Sequence, residues 1–250
     1  MSAIAPHGLS PTCHAGFHTT RWSMVISAQG RAAGDAFASL EALCRQYWPP
    51  LYAYARHRGH AAHDAQDLTQ AFFARLLEKE WLAPVEREKG RFRSFLLMAL
   101  KRFLANERDR SRSRKRGGGM EFISLDAELA ESCYVAGHAA TLPPDALYDR
   151  RWALTLLETV MRRLHHEHEA AGRLAEYELL KPWLTAGRGD IPYDELGAAL
   201  GMTPASARSA VHRLRKRFRE VFREEVAGTV ADPAEVEDEM RAVVAALGGG

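Results

Sequence analysis

Apolar positions along most of the chain recur at the three- and four-residue spacing of an α-helix, and alternating β-branched runs are absent. Ala, Leu, Glu and Arg dominate these segments, so intrinsic propensity favours helix as well. The pattern predicts helices over about 34–58, 61–81, 91–114, 150–170, 173–185, 192–200 and 204–227, with a last short helix over about 233–247. We therefore expect an all-α fold.

Two zones without a helical pattern divide the chain. Residues 1–20 are rich in His, Pro and small side chains, and a second zone opens with three glycines from Gly117 and closes with Pro143 and Pro144. Such composition is typical of linkers. We expect two small helical domains joined by a linker, the second containing a helix-turn-helix. The parts are a flexible N-terminal extension (1–20), a front domain (21–116), the linker (117–144), a back domain (145–227) and an acidic C-terminal extension (228–250).

The segment from Ile191 to Arg208 has the pattern of a helix-turn-helix. A short apolar helix ends at Gly201, where a left-handed residue closes a helix well. Thr203 is a good N-cap, and Pro204 suits the first helical position. The next helix places one apolar stripe beside a basic face, which fits the major groove of DNA. That face carries Arg208, His212, Arg215, Arg219 and Arg223.

The front domain carries two contrasting helical segments. The first begins at Asp64 and repeats Leu68, Phe72 and Leu76 every four residues, with acidic and amide side chains off that stripe. The second begins near Arg91, with aromatic residues in its first half and mostly arginine in its second. Aromatic rings near cations suit single-stranded or distorted DNA, because bases stack on rings while cations hold phosphates. The alternative is that the aromatics are core and the arginines a solvated tail.

Charge is segregated along the chain, although the formal net charge is only +2. Residues 91–116 hold ten Lys or Arg and two acids, and residues 203–223 hold seven Lys or Arg and one acid. Residues 118–149 hold six acids without a Lys or Arg, and residues 224–250 hold seven acids and one Arg. Two basic islands between acidic stretches indicate two contacts with a polyanion.

Taken in order, these segments resemble the extracytoplasmic-function (ECF) subfamily of bacterial RNA polymerase sigma factors. Within it they resemble a subgroup with a longer tail, in which a stretch like Val230 to Met240 follows the recognition helix. The resemblance implies a protein that binds core RNA polymerase (its β′ and β subunits) and directs it to promoter DNA. An anti-sigma factor or another regulator is implied as a further partner.

The resemblance also assigns residues. It places the polymerase contact on the first front-domain segment, at Asp64, Asp67, Leu68, Gln70 and Phe72. It places contacts with the minus-ten DNA element at Arg91, Arg93, Lys101, Arg102, Arg108, Arg110 and Arg112. It places contacts with the minus-thirty-five element at Ser206, Arg208, Ser209, His212 and Arg213. It implies no enzymatic activity and no cofactor.

Two alternative interpretations of the sequence lead to other functions. Histidines recur at 57, 60 and 63 and cluster at 165, 166 and 168, which suits zinc, but neither set has a cysteine partner or an HExxH frame. We therefore expect no catalytic residues and no metal site. A stand-alone helix-turn-helix regulator is the second alternative, although such proteins usually dimerise and sustained heptads are absent.

Location and the tail complete the expectations. The N-terminus lacks the pattern of a signal peptide, the longest apolar run is far shorter than a membrane span, and the three cysteines form no framework. We expect a cytoplasmic protein without a membrane segment. The tail carries an apolar stripe on an acidic helix, which predicts a segment that folds onto a basic face and tunes DNA access. The alternatives are a solvated tail and a helix that only caps the domain. The stripe consists of Val236, Met240, Val243, Val244 and Leu247.

Overall fold

The computed structural model of the protein describes residues 46–77, 91–113, 142–187, 189–230 and 232–248. Every regular element in these ranges is a helix, so the expected all-α fold is confirmed there. The N-terminal extension, most of the linker and the predicted start of the first helix lie outside the described residues. None of the described helices is both long and apolar enough to cross a membrane.

The front part consists of three helices. Residues 46–57 form α1, followed by α2 (Ala62–Leu77) and α3 (Phe92–Ser113). Gly59 joins α1 to α2 with φ +92°, a conformation that L side chains rarely adopt. The core side chains of the three helices pack together, among them Tyr47, Leu51, Phe72, Phe92 and Leu100.

The back part is built on two long helices. These are α4 (Pro144–Ala170) and α7 (Pro204–Ala227). They run antiparallel, because Arg163 of α4 pairs with Glu224 of α7 while Glu167 pairs with Arg217. Between them lie α5 (Leu174–Leu180), a 3₁₀ turn (Lys181–Leu184) and α6 (Tyr193–Ala199).

Two boundaries differ from the sequence prediction. Helix α4 begins at Pro144, about six residues before the predicted start, because proline is well tolerated at the first helical position. The helix predicted over 173–185 ends at Leu180 and continues as a 3₁₀ turn. Pro182 lies in that turn and has no N–H to donate to an α-helical ladder. Pro143 and Pro144 were predicted to close the linker, whereas Pro144 is the first residue of α4.

The C-terminal extension forms helix α8 (Val236–Gly248), preceded by a 3₁₀ turn at Pro233–Glu235. It packs against α4 and α7. Val236 and Val243 of the predicted stripe are buried, Met240 and Leu247 are half-buried, and Val244 is exposed. The extension is therefore folded onto the back part rather than solvated. The same helix buries a charged residue, Glu239, that lies off the predicted stripe.

Candidate functional site

The turn between α6 and α7 is shaped by three residues. Gly201 adopts φ +65°, and Thr203 caps α7 by accepting a hydrogen bond from the N–H of Ser206 at 3.2 Å. A Cβ on Gly197 would lie 2.8 Å from the carbonyl oxygen of Met202, so α6 and the turn approach closely only because this residue is glycine. The helix-turn-helix predicted from capping chemistry is therefore present, with Gly197 as a packing position that the sequence pattern did not single out.

The first turns of α7 present exposed polar side chains. Arg208, Ser209, His212 and Arg213 are all exposed, as a DNA-reading face requires. The guanidinium of Arg208 lies over the ring of Tyr193, 4.9 Å from its centroid. The hydroxyl of Ser206 lies 2.9 Å from that of Thr203 and belongs to the cap. Four of the five predicted residues thus stand clear of the fold, while the fifth helps to hold the turn.

Two arginines farther along α7 have structural partners. Arg215 donates to the carbonyl oxygen of Trp183 at 2.6 Å and also to that of Ala186. Arg217 donates two hydrogen bonds to Glu167 of α4, at 2.7 and 2.8 Å. Periodicity grouped Arg215 with the exposed basic face, but its hydrogen bonds tie the 3₁₀ turn and the loop after it to α7.

The pair between Glu167 and Arg217 makes the stability of the back part depend on pH. Hydrogen bonds from Arg217 hold the pKa of Glu167 below its usual value, against a smaller opposing effect of burial. Because the folded pKa is the lower one, the stabilisation is present above about pH 4.5 and is lost as pH falls through the folded pKa.

We expect Glu167→Gln to lower the Tm at pH 7 by about 2–4 °C, as for a loss of about 1 kcal/mol in a chain of this size. The difference from the wild type should shrink as pH falls below about 4.5, which thermal melts followed by circular dichroism at pH 3 to 8 would measure. Glu178→Gln is the control, because Glu178 is exposed and pairs with Lys181 at 3.9 Å within its own segment. A Tm difference for Glu167→Gln that is the same at every pH would contradict this account.

Helix α2 offers an acidic and amide surface. Asp64 and Asp67 are exposed, and Leu68 and Gln70 are half-buried beside them. Asp67 lies 3.1 Å from the Nδ1 atom of His63, and its side chain is 63% exposed. Four of the five residues predicted to contact a partner therefore share an accessible stretch of one helix.

Phe72 is placed differently from the other four. Its side chain is fully buried, with its ring 5.8 Å from the ring of Phe73 and 5.8 Å from that of Phe103. Phe72 therefore packs α2 against α3 in this structure instead of facing a partner. The four-residue repeat marks a core stripe at Phe72, and Asp64, Asp67 and Gln70 lie on the more accessible side of the same helix.

The aromatic residues of α3 follow the core alternative. Phe92 and Phe103 are buried, and Phe95 is half-buried. Phe92 packs edge-to-face on Tyr47, with ring centroids 5.2 Å apart. The rings at 92 and 103 thus stabilise the front part in this conformation and do not offer a surface on which bases stack.

The arginines at the start of α3 are held by carboxylates. The Nε atom of Arg91 lies 2.7 Å from Glu239, and the Nε atom of Arg93 lies 2.7 Å from the other oxygen of the same carboxylate. Arg93 also pairs with Asp149 and is buried. Burial lowers the pKa of Arg93, but the hydrogen bonds and charge of Glu239 and Asp149 outweigh it and raise that pKa. Two residues predicted to contact DNA are therefore occupied within the chain.

Farther along α3, basic side chains line a groove of about 430 Å³ between α1, α3 and the start of α4. Its cations include Arg58, Lys101 and Arg108, and Asp145 closes one side. Lys101 Nζ lies 2.6 Å from Asp145 and 5.9 Å from the ring centroid of Tyr54. Arg102 is exposed on the same helix. The side chains of Arg110 and Arg112 lie outside the described part of the structure.

The histidines are only partly brought together. His165, His166 and Glu169 place one ligand atom each within 4.8 Å of one another on the surface of α4. His168 instead lies with its Nδ1 atom 2.7 Å from the carbonyl oxygen of Leu164. Within the described ranges, His57, His60 and His63 form no such group, because Gly59 separates the two helices that carry them.

Comparisons with known proteins agree with the resemblance to sigma factors. Residues 43–115, which include α1, α2 and α3, match the family Sigma-70 region 2. The chain is 28% identical over 192 residues to the ECF RNA polymerase sigma factor SigE of Mycolicibacterium smegmatis. That alignment covers 76% of this chain and 64% of the relative, so the chain spans slightly less than two thirds of the length of the curated protein. No solved structure matches.

Proposed function

We propose that the chain is an extracytoplasmic-function sigma factor, which binds core RNA polymerase and directs it to promoters. The observation that carries the proposal is the match of residues 43–115 to Sigma-70 region 2. A helix-turn-helix with an exposed reading face follows it in the same chain. The activity is binding and strand opening, in which the protein itself breaks no covalent bond. A cytoplasmic location follows from that role.

In this proposal the polymerase binds the face of α2 that carries Asp64, Asp67, Leu68 and Gln70. Two exposed carboxylates beside a half-buried leucine combine charge, which guides docking, with apolar area, which contributes affinity. A partner surface with basic residues around an apolar patch is the complement. The coiled coil of the polymerase β′ subunit is the expected partner element, as it is in the family that the chain resembles.

The minus-ten element is proposed to bind along α3. Lys101 and Arg108 line the groove, and Arg102 is exposed on the same helix. Arg91 and Arg93 would join them once their carboxylate partners are displaced. Cations aligned along one helix suit the phosphates of a separated strand, and binding through them should weaken steeply with salt.

The minus-thirty-five element is proposed to bind α7. Arg208 is the strongest candidate for base readout, since a bidentate arginine to guanine contributes roughly 1–3 kcal/mol of discrimination. The ring of Tyr193 supports its guanidinium and limits the orientations that it samples before binding. Ser209, His212 and Arg213 flank it on the exposed face and would contact the backbone or neighbouring bases.

Two weak DNA contacts on one chain act together once polymerase holds the chain. Binding of one element raises the effective concentration of the other, so neither part needs high affinity alone. The linker between the parts then determines which spacings between the two promoter elements are reachable.

Co-elution tests the proposal directly. The purified protein is mixed with core RNA polymerase of the source bacterium and separated by size exclusion, and we expect a stable complex that starts transcription from the protein's own promoters. Tight binding to duplex DNA without polymerase, together with no complex, would instead favour a stand-alone regulator. Both measurements use the same protein preparation, so the two outcomes can be compared directly.

A further inference from the structure

Three cations, Arg91 just before α3 and Arg93 and Lys101 within it, are each paired with a carboxylate from the later part of the chain. Arg91 and Arg93 share one carboxylate of α8, Arg93 has a second partner on α4, and Lys101 has a partner at the start of α4. These carboxylates belong to Asp145, Asp149 and Glu239. All three cations are among the residues proposed to contact minus-ten DNA. The carboxylates therefore stand where DNA phosphates would stand.

Glu239 is the centre of this arrangement. Its side chain is fully buried, and its two oxygens accept from Arg91 and Arg93 at 2.7 Å each. A buried carboxylate is stable only when it is paired, because removal from water costs several kcal/mol per ion. Glu239 thus holds α8 against the start of α3. The pair also fixes Arg93, whose guanidinium lies over the ring of Trp152 at 4.8 Å from its centroid.

Uncharged contacts close the same junction. The N–H of Phe92, at the first turn of α3, donates to the carbonyl oxygen of Thr229 at 3.3 Å. The hydroxyl of Tyr148 donates to the carbonyl oxygen of Arg93 at 2.9 Å. The first backbone N–H groups of a helix have no partner inside that helix. The back part therefore supplies a partner that would otherwise be water or a ligand.

This junction conflicts with simultaneous binding of both promoter elements. Elements about 25 base pairs apart lie roughly 85 Å apart at 3.4 Å per base pair. Helix α4, which connects the junction to the helix-turn-helix, is only about 40 Å long at 1.5 Å per residue. Release of α3 from α4 and α8 would let the linker, at up to about 3.3 Å per residue, span the difference.

We propose that the closed junction is an autoinhibited state, in which the carboxylates of Asp145, Asp149 and Glu239 occupy the phosphate-binding side chains of α3 until polymerase and promoter DNA displace them. The proposal rests on the proposed sigma function and adds the regulation of its minus-ten site. Free protein would then bind DNA weakly, because only the open fraction is competent and the apparent Kd rises as that fraction falls. The carboxylates that compete with DNA phosphates flank the back part in sequence. Asp145 and Asp149 lie at its start, and Glu239 lies in the extension that follows it.

The test compares Glu239→Gln with Asp238→Asn in the full-length protein. Each substitution removes one carboxylate charge from α8, but Asp238 is exposed and pairs only with Arg241 of the same helix among the contacts described. The probe is a fluorescein-labelled single-stranded oligodeoxynucleotide of mixed sequence, titrated by anisotropy at several salt concentrations. We expect Glu239→Gln to bind at least about fivefold more tightly than the wild type, within the usual range of coupling between two sites. Asp238→Asn should match the wild type.

The salt dependence reports which cations are gained. Two further phosphate contacts on a single strand should steepen the plot of log affinity against log salt by about 1.4. The double variant Arg93→Gln/Glu239→Gln should keep only about half of this added slope, because Arg91 is then the one released cation that remains. Small-angle scattering should give a larger radius of gyration for Glu239→Gln than for Asp238→Asn, with unchanged helicity by circular dichroism.

A second variant, altered in the α4 carboxylates, keeps the test decisive if Glu239→Gln fails to fold. Asp145 and Asp149 are partly exposed, so Asp145→Asn/Asp149→Asn should stay folded and should also bind the probe more tightly if the proposal is right. Unchanged affinity and slope in folded variants would overturn it. Co-elution with core polymerase is measured on every variant: a complex without any gain in DNA affinity rejects the autoinhibited state alone, whereas no complex even with wild type rejects the sigma function.

Discussion

Phe72→Ala is expected to lower the free energy of unfolding by about 3–5 kcal/mol, the usual cost of removing a buried phenylalanine ring. The ring is fully buried and touches two other rings edge-on, those of Phe73 and Phe103. Its loss leaves a cavity between α2 and α3 that neighbouring helices fill only partly. Since Phe72 lies in the core that the front helices share, the whole front part should loosen. Chemical denaturation followed by circular dichroism measures the change.

Leu68→Ala is the matched comparison on the same helix. Leu68 is half-buried one turn earlier and lies on the proposed polymerase face, so its truncation should cost about 1 kcal/mol in stability but weaken the polymerase complex. The two variants thus separate packing from contact. If Phe72→Ala kept wild-type stability and lost polymerase binding, Phe72 would be a contact residue and the packing account would be wrong.

Asp67→Arg is expected to weaken the complex with core polymerase by about 2–5 kcal/mol, which is at least roughly 30-fold in Kd. Asp67 is 63% exposed and its described partner is His63 of the same helix, so reversal of its charge should leave the fold intact. The new cation would repel the basic surface expected on the partner. Fluorescence titration of labelled protein with core polymerase gives the two dissociation constants.

Glu158→Arg is the control for this charge reversal. Glu158 is exposed on α4, a different helix, and the substitution changes the net charge by the same amount. It should leave the Kd for polymerase within about twofold of the wild type, because exposed charges farther apart than a Debye length of about 8 Å are largely screened. Equal losses in both variants would show that net charge, and not the α2 face, governs the complex.

Local signals were strongest where short-range physics decides the structure. Thr203, Pro204 and Gly201 define a cap, a first helical position and a left-handed end within four residues, and the structure has all three. The resemblance to sigma factors rested on such segments in order, and the match of residues 43–115 to Sigma-70 region 2 agrees with it for the front part. The residue roles within each helix remain predictions, because exposure permits a contact without proving one.

Long-range pairing was not readable from the chain. Arg93 and Glu239 are separated by 146 positions, and each alone has the pattern of a solvated or DNA-facing charge. Arg215 is a second example, because it donates to backbone carbonyl oxygens that lie 29 and 32 residues earlier in the chain. For Phe72 the two signals in the sequence disagree. Helical periodicity marks it as a core residue, whereas the family resemblance marks it as a polymerase-contact residue.

The amino-acid sequence by itself determined the helical class, the helix-turn-helix and the segregation of charge, because propensity, capping and periodicity act over a few residues. Tertiary structure alone decided which charges are free and which are paired. Burial of Glu239 against Arg91 and Arg93 depends on where α8 lands on α3, and the stability of a buried ion depends on partners brought from distant positions. The physical reason is that desolvation is a property of the packed assembly of helices and not of any one segment.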